Sequence, residues 1–233
     1  VLIRFGFTIY GGEFVFDSHP TDQILLILAV LAIAICSTVA IFQVNLKRLL
    51  AFSSLAQVGY IILGISFNNI SGLTASIVHL FNHAITKGGL FLALGCVSYV
   101  IGSVRIENIA GLGKRMPLTA FAIVIGGLSL IGVPLTAGFI SKWFLILGSV
   151  NKGWWPLALL LLLTSLLSVI YVWRIVEAMY FKPAPENSIK KEAPLSMVIP
   201  TWLLVIATLY FGIETSISVG IAEEAARFIL GSK

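Results

Sequence analysis

Apolar residues in this chain fall into long blocks separated by short polar clusters. Neither the alternation of a half-buried strand nor the narrow stripe of a soluble helix appears. The opening Val-Leu-Ile-Arg-Phe-Gly-Phe reads as the tail of a helix already under way, over residues 1–12, and the chain as the C-terminal part of a longer protein. A polar turn around 11–20 follows. Apolar blocks at about 23–42, from just after Lys47-Arg48 to near Phe67, and at about 73–101, 118–147, 155–180 and 197–211 or beyond then predict six spans within a domain at 23–219. Residues 220–233, with Glu223, Glu224 and Arg227 among apolar positions, predict a short interfacial helix. The expected fold is an all-α, polytopic transmembrane helical bundle.

Two blocks are longer than a bilayer needs. At 1.5 Å per residue, about 30 residues span ~45 Å against a hydrocarbon core of ~30 Å. Tilt or a break must absorb the excess. In the fourth block Gly132, Pro134 and Gly138 supply the break, because Pro134 has no N–H to donate to the carbonyl four residues earlier. That block is expected to be one broken helix.

Composition supports the membrane reading. Charged residues make up 11% of the 233 and hydrophobic ones 58%, whereas a soluble domain carries roughly 25% charged residues. The net charge of +5 does not indicate nucleic acid, because the basic residues sit singly or in pairs at block ends, where topology places them. Lys47, Arg48, Arg105, Lys114, Arg115, Lys182, Lys190 and Lys191 fall on one side, against Lys152, Arg227 and Lys233 on the other. The positive-inside rule therefore makes loops 44–48, 102–116 and 182–194 cytoplasmic, in what is expected to be a prokaryotic plasma membrane. Cys36 and Cys96 lie within apolar blocks and read as small core residues, not a disulfide or metal site.

The candidate chemistry lies inside the spans. Lys87 and Lys142 both sit within apolar blocks, where a lysine costs ~2.5–3.5 kcal/mol at mid-membrane. Snorkelling to an interface is the bland account, and it is easier for Lys142, which is nearer the end of its block. Buried, both amines move toward the range where they take up and release protons. His79 and His83 precede Lys87 at four-residue steps, so the three share one helix stripe, with Ser76, Asn82 and Thr86 to hold water. Proton relay needs donors and acceptors spaced in this way. Either histidine could instead be structural. As haem or metal ligands the pair lacks acidic or cysteine partners in the membrane.

Arg174 and Glu177, three apart near the cytoplasmic end of the fifth span, can pair on one face and read as structural. Lys47 is mainly topological, with a cytoplasmic entry as its other reading. Ser53, Ser54, Gln57 and Tyr60 give the second span a polar face that helix packing explains as readily as a water wire. The chain carries no nucleotide fingerprint, paired carboxylates or cysteine cluster, hence no visible redox or hydrolytic centre, cofactor or metal site of its own.

The stretch Asn45-Leu-Lys-Arg-Leu-Leu-Ala-Phe-Ser-Ser-Leu-Ala-Gln-Val-Gly-Tyr60 resembles the signature of the antiporter-like membrane subunits of complex I and of the Mrp cation/proton antiporters. His79-Leu-Phe-Asn-His-Ala-Ile-Thr-Lys87 and Gly132-Val-Pro-Leu-Thr-Ala-Gly-Phe-Ile-Ser-Lys-Trp143 match the same family in the same order. The resemblance implies a subunit of about fourteen helices in two inverted repeats, each with a broken helix. This chain would be the second repeat, of the complex I subunit 2 or 4 type or of the D type of the Mrp antiporters. The resemblance further implies that Lys142 is the lysine at the break and Lys87 the one that follows the paired histidines. Protons would move through these groups within a complex whose flavin and iron–sulfur clusters lie in partner subunits. Sodium/proton exchange and a non-conducting packing role are the alternatives, and the expected partners are the bilayer and other membrane subunits.

Overall fold

A computed structural model of the chain describes residues 2–12, 15–16, 19–185 and 190–231. Part of the third loop expected to be cytoplasmic (186–189), the first residue of the opening helix, and the end of the tail with Lys233 lie outside the described residues. After a π-helical turn, Arg4–Ile9, the long helices run α1 (Thr21–Phe42), α2 (Leu46–Ser66) and α3 (Ile70–Ile101). A short 3-10 turn, Ile106–Ile109, leads to α4 (Leu112–Arg115), α5 (Pro117–Ile131), α6 (Ala137–Asn151), α7 (Trp155–Tyr180), α8 (Leu195–Ile213) and α9 (Ser216–Ile229). Among the described residues there is no strand, and five helices are long and apolar enough to cross a membrane. The fourth apolar block forms two shorter helices, α5 and α6, of 15 residues each.

Local chemistry sets the boundaries. Asn45 caps α2 by accepting from the Lys47 and Arg48 amides, and Asn69 caps α3 by accepting from Gly72 N at 2.7 Å. The Asn69 cap starts α3 at Ile70, earlier than the apolar pattern alone would place it. Pro117 occupies the first turn of α5, where its missing N–H costs nothing. The Glu192 carboxylate caps the same end, accepting from Leu118 N at 3.2 Å, Thr119 N at 3.3 Å and the Thr119 hydroxyl.

The expected basic loops gather at one end of the bundle. Leu46 N donates to Val104 O at 3.0 Å and Ile106 N to Val44 O at 2.9 Å, joining the first two loops. Gly111 N bonds Ala178 O, and Glu192 ties the third loop to α5. At the opposite end Asn69 bonds Gly148 O, Asn151 bonds Ser71, and Lys152 pairs with Asp22 at 3.0 Å. The tail helix packs at this second end, with Ala226 against Phe7, Ile65 and Leu73, while Ile217, Ile221 and Phe228 face outward.

The interior centres on α3, which at 32 residues is about 48 Å long. Small residues let neighbours approach it. A Cβ on Gly126 of α5 would meet the Leu90 side chain at 2.6 Å. Gly212, near the end of α8, lies against the backbone of Leu135 and Thr136, where a Cβ would be 2.4 Å from the Thr136 carbonyl carbon. The end of α8 thus seats on the helix break.

Candidate ion-translocation site

The break comprises residues 132–136. Gly132 closes α5 with φ +89°, and Leu135 holds a left-handed φ of +71°, which is strained for a leucine. The last carbonyls of any helix lack intrahelical partners. Here the carbonyl of Leu130 would have taken its bond from residue 134, which is proline and has no N–H. Lys142 from α6 occupies this place. Its Nζ donates to Leu130 O at 3.0 Å, Ile131 O at 2.7 Å and Ser165 Oγ at 3.2 Å, and stands 5.3 Å from the centre of the Tyr60 ring. The negative end of the α5 dipole points at the ammonium. Lys142 is 8% exposed, so it does not snorkel. Beside it lies a cavity of about 100 Å³ bounded by Tyr60, Gly132, Phe139, Trp143, Leu161 and Ser165.

Lys87 is 5% exposed and turns away from its own helix. It donates to Leu50 O of α2 at 2.8 Å and to the Ser53 hydroxyl. Ser54, a candidate supporting group on the sequence, does not take this place. It donates to Leu50 O at 3.0 Å and has no bond to Lys87, because Ser53 holds the face toward α3.

Between the lysines, α3 presents a polar face stapled across the break. Thr86 Oγ1 meets Ser129 Oγ of α5 at 3.0 Å. Asn82 donates to Ala137 O at 2.7 Å, and His79 Nδ1 meets Ser141 Oγ of α6 at 2.8 Å. Residues 79, 82 and 86 recur at helical spacing, so one face of α3 holds both halves of the broken helix. His79 and His83 stack with ring centres 6.2 Å apart and planes 3° from parallel, as a shared stripe requires. His79 Nε2, His83 Nδ1 and Asn82 Oδ1 have no hydrogen-bond partner among the described residues and border a space of about 10 Å³, the volume one water centre occupies.

Gly138, expected within the break, lies in α6. Its role is close approach, since a Cβ there would sit 1.9 Å from Ser129 O. Arg174 and Glu177 do not pair. Arg174 reaches across to Gln43 O at 3.4 Å, because the carbonyl at the end of α1 lies nearer its guanidinium. Lys47 is exposed in the first turn of α2. Groups that sequence reasoning passed over are Ser129, Ser141, Ser165 and Tyr171. A signal was present for two of them, because Thr164, Ser165, Ser168 and Tyr171 mark one side of a helix whose first two-thirds is otherwise apolar. No group of three or more His, Cys, Asp and Glu that could hold a metal occurs among the described residues.

Residues 3–168 match the model of the family described as NADH:quinone oxidoreductase/Mrp antiporter, TM. The chain belongs to this family. Among its relatives, NADH-quinone oxidoreductase subunit N of Desulforudis audaxviator is 39% identical, over 83% of the chain and 41% of the relative. F(420)H(2) dehydrogenase subunit N of Methanosarcina mazei is 33% identical, over 88% of the chain and 43% of the relative. A protein in the structure of the membrane-bound sulfane sulfur reductase, an archaeal respiratory membrane complex, superposes with a TM-score of 0.81 at 34% identity, covering 90% of the chain and 42% of that protein. The chain therefore spans about two-fifths of the length of the relatives it matches. The family's membrane character agrees with the apolar helices, and the chain is an integral membrane protein.

Proposed function

We propose that this chain is the second repeat of a proton-translocating membrane subunit in a redox-driven complex, with Lys87 and Lys142 as its proton carriers. The observation that carries the reading is the pair of buried ammonium groups, each held by neutral oxygens and with no carboxylate among its hydrogen-bond partners in the described residues. An amine stabilised only by dipoles and a ring face can lose its charge without stranding a buried anion. Charge on one lysine disfavours charge on the other in a medium of low dielectric, so a proton arriving at Lys87 promotes release at Lys142. His83 and His79 link the two along α3, with water at the unpartnered nitrogens completing the relay. The redox chemistry, with flavin and iron–sulfur clusters, belongs to other subunits. Names of relatives such as NADH-quinone oxidoreductase subunit N support that setting.

The end carrying loops 44–48, 102–116 and 182–194 faces the cytoplasm of a prokaryotic cell on this reading, since it holds most of the loop lysines and arginines. Lys142 then exchanges its proton with the opposite side. In the full-length subunit, assembled in its complex and reconstituted in vesicles, Lys142→Ala is expected to lower proton pumping at least tenfold while assembly is retained. Unchanged pumping would overturn the assignment.

A second reading is a component of a sodium/proton antiporter. It is favoured by the carbonyl oxygens of Leu130 and Ile131 with the Ser165 hydroxyl, a donor set that also suits an alkali cation. Proton movement that stops in sodium-free medium would select it over the first.

A further inference from the structure

The Lys87 ammonium bonds α2, the Lys142 ammonium bonds the end of α5 and α7, and neither bonds a histidine of α3. Along α7, Thr164, Ser165, Ser168 and Tyr171 lie on the side that faces α2, and Thr164, Ser168 and Tyr171 are buried. Their hydroxyls are linked to both lysine sites. Lys87 bonds Ser53, and the Tyr171 hydroxyl lies beside Ser53 without a direct hydrogen bond to it. Tyr171 donates to Ser168 Oγ at 3.1 Å. At the other end Ser165 accepts from Lys142, and the Tyr60 hydroxyl, above whose ring Lys142 sits, meets Thr164 Oγ1 at 3.0 Å. Three steps have no direct bond: Ser53 to Tyr171, Thr164 to Ser165, and Ser168 to that pair, a single helical turn away. Side chains so spaced are ~5–6 Å apart, a distance that one bridging water spans.

We propose that this hydroxyl ladder of Ser53, Tyr171, Ser168, Thr164, Ser165 and Tyr60 is a second proton connection between Lys87 and Lys142, parallel to the histidine stripe of α3. It rests on the reading of the two lysines as proton carriers. Each hydroxyl on the ladder takes a proton on an oxygen lone pair and passes on its own. The net step turns the Lys87 ammonium into an amine and the Lys142 amine into an ammonium, with no charge left on the rungs. Backbone contacts do not exhaust these hydroxyls. Thr164 and Ser165 donate to Leu161 O at 3.1 and 2.9 Å, which leaves their lone pairs free to accept from Tyr60 and Lys142. An ordinary packing account of serines in a membrane helix asks for that backbone bond alone and gives no reason for two tyrosine hydroxyls, one at each end of the row.

Two parallel routes leave a kinetic signature. In the assembled complex carrying the full-length subunit, the ladder is cut by Ser168→Ala with Tyr171→Phe, each of which removes one oxygen and little volume. The stripe is cut by His83→Leu, at a ring whose Nδ1 has no hydrogen-bond partner among the described residues. Either cut alone is expected to lower pumping threefold or less, and the two together at least tenfold beyond the product of the separate effects. Ser168→Thr in place of Ser168→Ala, with Tyr171 retained, restores the rate in the His83→Leu background. The proposal is overturned if the ladder cut leaves the His83→Leu rate unchanged, or if the ladder cut alone abolishes pumping, which would mean a single route in series. Inactive Lys142→Ala with a silent ladder cut removes the ladder alone, whereas active Lys142→Ala removes the parent reading. Quantifying assembled complex for each variant separates a lost route from a lost subunit, and the single Tyr171→Phe variant repeats the test should the pair fail to assemble.

Discussion

Lys87 and Lys142 differ in what balances their charge, and the difference is testable one side chain at a time. Lys87 depends on a single carbonyl and a single hydroxyl. Ser53→Ala removes the hydroxyl and leaves a buried ammonium under-bonded, at a cost of about 1–3 kcal/mol. Pumping is expected to fall several-fold in Ser53→Ala and to be unaffected in the neighbouring Ser54→Ala, read side by side in vesicles. Gly132 offers a second single-residue test. Its positive φ, together with a Cβ position 2.8 Å from Lys142 Cδ, means that Gly132→Ala both strains the turn and pushes the lysine off its carbonyls. A loss of pumping close to that of Lys142→Ala is the expected outcome.

At the scale of elements, the break is held from three directions: α3 staples both halves, α8 seats on the unwound segment, and the third basic loop caps the start of α5. Removing the last of these, by Glu192→Ala, strips the α5 amides of their carboxylate and is expected to cost about 1–2 kcal/mol of stability, read as a lower melting temperature of the purified complex. Gly138→Ala is the severe case, since a methyl cannot coexist with Ser129 O at 1.9 Å; assembly itself is expected to fail. Much of this layer was legible in advance. The apolar blocks gave the spans, and Gly132 with Pro134 gave the break, because both signals depend on properties of single residues. The partners of each lysine were not legible. A helical periodicity says which face a side chain leaves from, and it does not say that Lys87 crosses to Ser53 on α2 or that Arg174 prefers Gln43 O to Glu177. Those choices are made between helices, by their rotation and depth.

For the whole molecule, the separation of basic loops from the Asp22–Lys152 end gives a sidedness that can be measured. With the native Cys36 and Cys96 buried or half-buried within spans, Arg105→Cys and Asn151→Cys report from opposite ends. In sealed inside-out vesicles an impermeant maleimide is expected to label Arg105→Cys and spare Asn151→Cys; the reverse pattern would invert the proposed orientation.

The seat of Gly212 on Leu135 and Thr136 sets a steric condition on the break. With no side chain between them, the two backbones touch, so a rewound 132–136 segment would have to shove the end of α8 aside. Any change of conformation at 132–136 thus meets the end of α8 as its first steric obstacle.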